Sequence, residues 1–329
     1  MTTVVTGASG HLGDNLVREL IRRGHSVRAV YLGHRGALAD LECESVRADI
    51  RDSAAMTRVL AGADTLYHLA AIISIDGDPS GAVRATNVAG VRNVMRCALA
   101  AGVRRVVHCS SIHAFDLTAQ DRTLDEHSPR SQPGRQGAYD VSKADGEVEV
   151  RKLVADGLDA VIVNPTGVIG PRDPRPSRMG RVFLQLARRQ MPALVRGGFN
   201  WVDVRDVVAG AIAAAEKGRT GENYLLSGHW ASVRELADIT ESVLGVRAPR
   251  VEIPLSVVQP VAALATWYGR WRGQEPLFTR EALAALAANR YISCDKARRE
   301  LDFRPRPLTE TVADLYDWFQ RAGILERSR

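Results

Sequence analysis

Tyr139 and Lys143 stand four residues apart in a stretch, 138–155, whose periodicity predicts a helix, so their side chains share one face. Phenol beside ammonium is a proton-transfer unit. The positive charge favours the phenolate, so a lowered tyrosine pKa is expected. Carbonyl reduction requires a proton donor at the carbonyl oxygen, and alcohol oxidation requires the matching base. Tyr139 suits both. Ser111 follows an apolar run, 105–110, that reads as a strand. In a parallel sheet, ligands bind at the carboxyl edge of the strands, and there Ser111 can bond the oxygen that Tyr139 serves. Taken alone, tyrosine and lysine at this spacing could equally be an exposed helix pair, so the elements around them decide.

The first of these is the turn Thr6-Gly7-Ala8-Ser9-Gly10-His11-Leu12-Gly13, which ends an opening strand (2–6) and leads into a helix (14–23) closed by Gly24. Gly7 suits a tight turn, Gly10 lets backbone approach a pyrophosphate, and Gly13 lets helix and strand pack closely. The phosphates would rest on N–H groups at the positive helix end. A plain glycine-rich turn is the alternative, but the strand before and the helix after are the context a dinucleotide turn requires.

Further strands are predicted at 26–32, 45–48, 64–70, 105–110, 160–164 and 223–226, and helices at 53–60, 86–101 and 138–155. This alternation implies an α/β fold with a doubly wound parallel sheet of Rossmann type. After Pro165 the composition shifts. The Pro- and Arg-rich segment 170–179 reads as an ordered loop over a site, and helices are expected at 232–244, 281–288 and 308–322. We expect a dinucleotide domain at 1–169, rejoined by 199–244 and the last helix. A small interleaved substrate lobe would come from 170–198 and 245–290. Trp267, Tyr268 and Trp271 in that lobe suit either an apolar pocket or a core or subunit contact.

Of the 329 residues 45% are hydrophobic and only 5% aromatic, as suits small aliphatics packed between helices and a sheet. The net charge of +6 comes from scattered arginines, not from a basic stripe interleaved with aromatics, so no nucleic-acid partner is expected. Cys43, Cys97, Cys109 and Cys294 lack the spacing of a metal or redox motif, so no metal is expected and a reduced, cytoplasmic setting fits. The apolar stretches 204–215 and 257–267 are too short or interrupted to span a bilayer, and no signal peptide is visible.

A glycine turn with a later Tyr-x-x-x-Lys resembles the extended short-chain dehydrogenase/reductase superfamily, the NAD-dependent epimerase/dehydratase family. It holds nucleotide-sugar epimerases, dihydroflavonol-reductase-like carbonyl reductases and 3β-hydroxysteroid dehydrogenases. Further segments carry the likeness: Asp49-Ile50-Arg51-Asp52, His68-Leu69-Ala70-Ala71, Asn87-Val88-Ala89-Gly90, Asn164-Pro165 through Val168-Ile169-Gly170-Pro171, and Asn200-Trp201-Val202-Asp203. Each alone could be scaffold; their order along one chain is the signal. The resemblance implies a Ser111, Tyr139, Lys143 catalytic set, with Ser111 chosen over Ser110 by the stretch to Phe115 that follows it. It implies NAD(P) contacts at Gly7, Ser9, Gly10, His11, Leu12 and Gly13, at Tyr31 and Arg35, at Asp49 and Ile50, and at Leu69, Ala70, Ala71 and Asn87. Tyr139, Lys143, Asn164, Pro165 and Val168 would complete that site. Candidate substrate contacts are Ile73, His113, Arg172 and Trp201, although a surface or packing role for His113 stays open. The partner is a small molecule, and a homodimer is possible.

Tyr31 and Leu32 stand where family members distinguish the two cofactors, and neither is a carboxylate; with His34 and Arg35 close by, the pattern leans to NADP, the alternative being use of both. Ile112 and His113 replace the Asp-Glu pair of sugar dehydratases, so dehydration is disfavoured. Arg172, Arg175, Arg178 and Arg181 suit either a nucleotide-diphosphate pocket or a solvated loop. The expected activity is therefore reversible carbonyl reduction. A nucleotide-sugar 4-epimerase with tightly held NAD is the alternative, and a non-catalytic dinucleotide sensor a remote one.

Overall fold

Short β-branched runs fill the middle of the molecule. In this computed structural model, which describes residues 1–75, 77–120, 122–258 and 280–326, they become β1 (Thr2–Thr6), β2 (Ser26–Tyr31), β3 (Glu44–Arg47), β4 (Ala63–His68), β5 (Arg105–Cys109) and β6 (Ala160–Pro165). Together with β10 (Asn223–Leu226) they form one seven-stranded, wholly parallel sheet in the order β10-β6-β5-β4-β1-β2-β3. Reversal of strand order between β1 and β4 opens the crevice in which ligands of such sheets bind.

Alternate strand residues face opposite sides. Val5, Tyr67, Val107 and Val161 pack under α1 (His11–Arg22) and α7 (Val204–Lys217). Val4, Leu66, Val106 and Ile162 pack under α2 (Ser53–Leu60), α4 (Val91–Ala100) and α5 (Ala138–Ala155). The helix expected over 86–101 is broken in kind: a short α3 (Ala82–Arg84) leads into a π-helical stretch, Ala85–Gly90, before α4. There Asn87 turns its side chain inward, and Gly90 leaves room for Ile50, whose Cδ1 would lie 2.8 Å from an added Cβ.

Beyond the sheet's carboxyl edge lies a second layer. β7 (Gly167–Ile169), β9 (Gly198–Asp203) and β11 (His229–Ser232) form a three-stranded sheet, and β8 (Leu194–Val195) pairs with β12 (Glu252–Ile253). α6 (Arg178–Ala187), begun by a Ser177 cap, takes over the end of the expected 170–179 loop, and α8 (Val233–Leu244) packs beside it. A third core joins these pieces to the helix Leu308–Arg321: Ile112, Phe115, Phe183, Phe199, Trp201, Val312, Leu315 and Phe319 are all buried in it. The helix is also tied by charge. Asp203 caps α7 through the Arg205 amide at 2.7 Å and pairs with the Arg205 guanidinium at 2.7 Å; Arg205 reaches Asp314 at 2.6 Å, and Arg306 meets Asp206 at 2.9 Å. Trp267, Tyr268 and Trp271, expected in the lobe, lie outside the described residues. Among the described residues no helix is long and apolar enough to cross a membrane, and no group of three or more His, Cys, Asp or Glu side chains could hold a metal ion.

Candidate active site

β5 ends at Cys109, and the chain turns through Ser110 and Ser111 into a single 3-10 turn, Ile112–Ala114. Ser111 opens that turn, its Oγ accepting from the His113 amide at 3.2 Å. The Tyr139 phenol, from the first turn of α5, is near enough for Ser111 to act on it. Ser110 Oγ, by contrast, is buried and has no protein partner. The strand end thus delivers Ser111, not its neighbour, to the phenol.

Tyr139 is partly buried, and desolvation pushes its pKa well above the ordinary value, against the opposing influence of Ser111. The expected lowering by Lys143 is not found. Lys143, buried one helical turn on, donates its Nζ to the Cys109 carbonyl at 3.0 Å, so its hydrogen bond goes to β5. Burial lowers the pKa of Lys143, while Cys109 and Glu147 raise it.

His113 has the most particular setting among the candidate substrate residues. Its Nδ1 lies 2.8 Å from Asp140 Oδ1, and its ring tilts against Tyr139 (5.5 Å between centroids) and stacks on Phe199 (5.9 Å). Ile73 is 65% exposed. Trp201, read as a substrate contact, is instead core. It is 4% exposed, donates Nε1 to the Ala231 carbonyl at 3.2 Å, and stands where a Cβ on Gly167 would meet it at 2.8 Å. The β7–β9 register turns its ring inward. Arg172 adopts a left-handed backbone, φ 59°, and its charge acts on Asp14 and Asp40, which places it on the α1 side.

The glycine turn separates into two kinds of position. An added Cβ would lie 2.8 Å from the Ala70 nitrogen at Gly7, whose φ is +70°, and 2.2 Å from the Gly7 oxygen at Gly13. At Gly10 the nearest atom is 3.4 Å away, and no side chain caps α1. Protein packing explains the first two glycines but not the third. An open glycine at an uncapped helix start fits a dinucleotide pyrophosphate. His11 and Asn15 bond the Pro171 carbonyl at 3.0 and 3.2 Å and draw the 170s loop over this turn. Ser9 precedes Gly10 in it, and Leu12 follows in the first turn of α1.

Around the rest of the crevice, Tyr31 ends β2 opposite Arg47, which donates Nε to the Leu32 carbonyl at 3.0 Å; Arg35 is exposed beyond it. Asp49 is paired with Arg51 at 2.6 Å, and Ile50 is buried under α4. Leu69 and Ala70 run past the turn, and Ala71 is exposed. Asn87 bonds the Ile72 amide and carbonyl, each at 2.9 Å, and so clamps the loop after β4. Asn164 is fully buried and bonded to Ser111 and Glu147; Pro165 ends β6 and Val168 lies in β7. Beneath them His68 and His108 stack at 5.4 Å, and burial pushes His68 down to about 3 and His108 likewise well down. Asp140 and Glu147 escaped the sequence reading. Glu147 had a signal, standing four residues after Lys143, whereas the pairing of Asp140 with a residue 27 positions earlier had none.

The pattern of the NAD dependent epimerase/dehydratase family matches residues 3–227. Sterol demethylase protein B of Methylococcus capsulatus is 38% identical over 332 residues, covering 99% of this chain and 100% of that one. A putative dihydroflavonol 4-reductase of Synechocystis is 32% identical over 328 residues, covering 98% and 95%. The crystal structure of gox2253 matches with a TM-score of 0.85 at 36% identity, covering 99% of both chains.

Proposed function

The chain belongs to the NAD dependent epimerase/dehydratase family, and from that membership we propose that it is a reversible carbonyl reductase or alcohol dehydrogenase acting on a small, apolar substrate. The observation carrying this reading is the contact of Ser111 with Tyr139 at the sheet's carboxyl edge, one helical turn from Lys143. Family membership makes it an NAD(P)-dependent enzyme of the extended short-chain type. Bound NAD(P) supplies the hydride that reduces the substrate carbon, or accepts it in the reverse direction.

Around that transfer the side chains divide the work. Ser111 Oγ holds the substrate oxygen. Tyr139 gives it a proton during reduction and takes one during oxidation. Its raised pKa keeps the phenol in the protonated form that reduction draws on, though as a weaker acid than a free phenol. Lys143 bonds the nicotinamide ribose, the contact through which its ammonium serves the reaction. Gly7, Ser9, Gly10, His11, Leu12 and Gly13 hold the pyrophosphate. Leu69, Ala70, Ala71 and Asn87 bound the cofactor on the β4 side, and Pro165 and Val168 on the β6 side. We infer a preference for NADP, supported by the lack of a carboxylate at Tyr31 and Leu32 and by Arg47 and Arg35 at the same edge. The substrate lobe is the second layer, in which β9, β11 and α8 join the described parts of 170–198 and 245–290, with His113 and Ile73 toward the substrate.

The test is titration of purified protein with NADH and NADPH, then reduction of benzaldehyde and cyclohexanone by wild type and Tyr139→Phe. The expected result is tighter binding of NADPH, with turnover lost in Tyr139→Phe and cofactor affinity kept. An unchanged rate in that variant sinks the mechanism. Stoichiometric NAD surviving purification, with no net NAD(P)H consumption, would favour the 4-epimerase.

A further inference from the structure

Tyr139, Lys143, Glu147 and Arg151 follow at four-residue spacing along α5 and form one stripe. The first two belong to the proposed chemistry. Glu147 is wholly buried, 0% exposed. Its carboxylate accepts from Asn164 Nδ2 at 2.6 Å and pairs with Arg151 at 3.2 Å and Arg130 at 3.3 Å. The Asn164 amide donates to the Ser111 carbonyl at 2.9 Å and accepts from Asn223 at 2.7 Å. Arg130 lies over the Phe115 ring, 3.7 Å from its centroid, where the turn begun by Ser111 ends. One carboxylate therefore gathers the three elements that present the site: the end of β5, the end of β6 and α5.

A carboxylate this deep is costly, and an apolar side chain of similar volume would serve packing alone as well or better. What an apolar side chain would not supply is negative charge beside Lys143. The groups acting on the ammonium are the Cys109 thiol, Glu147, and the neutral rings of His68 and His108. Burial works against the charged form of Lys143, and Glu147 works for it.

We propose that Glu147 is a positioning residue for the reaction, fixing Ser111 through Asn164 and holding Lys143 in its charged form. This rests on the catalytic roles proposed for Ser111, Tyr139 and Lys143. Burial sets Lys143 below its ordinary pKa and Tyr139 above its own, so Lys143 loses its proton first as pH rises. The alkaline limb of the reduction rate then tracks Lys143.

The experiment compares wild type with Glu147→Gln, which keeps shape and an acceptor for Asn164 but removes the charge. NAD(P)H affinity is read by fluorescence, and kcat against pH with benzaldehyde or cyclohexanone, whichever is turned over. The expected result is a kcat about tenfold lower, as the loss of one charged hydrogen bond would give, an alkaline limb moved to lower pH, and cofactor affinity within about threefold. Glu147→Asp, which retains the charge, should restore the limb. Arg151→Gln removes a cation that offsets Glu147 and should move the limb the other way; it answers the question even if Glu147→Gln does not fold. A limb unmoved in either folded variant overturns the inference. Should Tyr139→Phe keep full activity, the chemistry itself fails. Should Tyr139→Phe be inactive while Glu147→Gln matches wild type, only the role of Glu147 fails.

Discussion

His113 Nδ1 and Asp140 Oδ1 lie 2.8 Å apart, joining the turn after β5 to the first turn of α5 beside the Tyr139 ring. The bond commits Nδ1, so Nε2 is left to meet a ligand. Replacing Asp140 by Asn weakens a charge-assisted hydrogen bond that orients the imidazole. If His113 faces substrate, Asp140→Asn should raise the substrate KM by about 3- to 10-fold, the ~1 kcal/mol of one such bond, with NAD(P)H affinity unaltered. Steady-state kinetics beside a fluorescence titration separate the two; an unchanged KM would return His113 to a packing role.

The glycines of the turn should fail in different ways. At Gly13 a methyl group meets backbone at 2.2 Å, so Gly13→Ala should cost about 3 kcal/mol or more, or yield no folded protein. At Gly10 φ is −82° and the nearest atom is 3.4 Å away. Gly10→Ala should therefore melt within a few degrees of wild type yet bind the dinucleotide at least about tenfold more weakly, because the methyl occupies the approach to the helix end. Thermal melts with cofactor titrations decide. Full affinity in a folded Gly10→Ala protein would show that the phosphates lie elsewhere.

Acid should loosen the protein before its carboxylates titrate. His68 is held near 3 and His108 well below 6.5, so between pH 6.5 and about 5 the unfolded chain binds protons that the folded chain refuses. A depressed histidine pKa means stability that is present above 6.5 and lost as pH falls toward the folded value. The loss by pH 5 should be about 1–2 kcal/mol per histidine. Glu19 and Glu149, lowered to about 2, contribute only below 4.5 and leave this window clear. Urea unfolding across the window measures the slope, and His68→Gln should flatten it. A flat wild-type profile would count against neutral rings in the folded state.

Asp203 combines an N-cap with ion pairs to Arg205 and Arg306 while fully buried at its side chain. Asp203→Ala leaves two guanidinium groups short of a partner, so a loss of about 3 kcal/mol is expected. Hydrogen exchange should show it first in the helix Leu308–Arg321. Equal protection in both proteins would argue against a tie through this cluster.

What could be read in advance followed local rules. The alternation of β-branched strands with helices gave away the parallel sheet, since each period is written in a short window. The nearness of Ser111, Tyr139 and Lys143 was legible because a strand end and a four-residue spacing are local as well. Other features depend on register or on distant partners. Trp201 looked available for substrate until the β7–β9 pairing turned it inward against Gly167. The clamp of the Asn87 amide on the Ile72 backbone, fifteen positions away, had no such local signal. The effect of Lys143 on Tyr139 was misjudged because spacing along a helix says nothing of the Cys109 carbonyl that takes up the ammonium.

The third core carries an order of events. Val312, Leu315 and Phe319 close it over Ile112, Phe115 and Phe199, residues roughly one to two hundred positions earlier. The seven strands, with the helices between them, are all in place by Leu226. On the ribosome, then, the parallel-sheet half has its elements long before the layer above Ser111 can be sealed. That layer waits with apolar side chains uncovered until the helix Leu308–Arg321 has emerged, and in this interval the nascent chain is most open to aggregation and to chaperones.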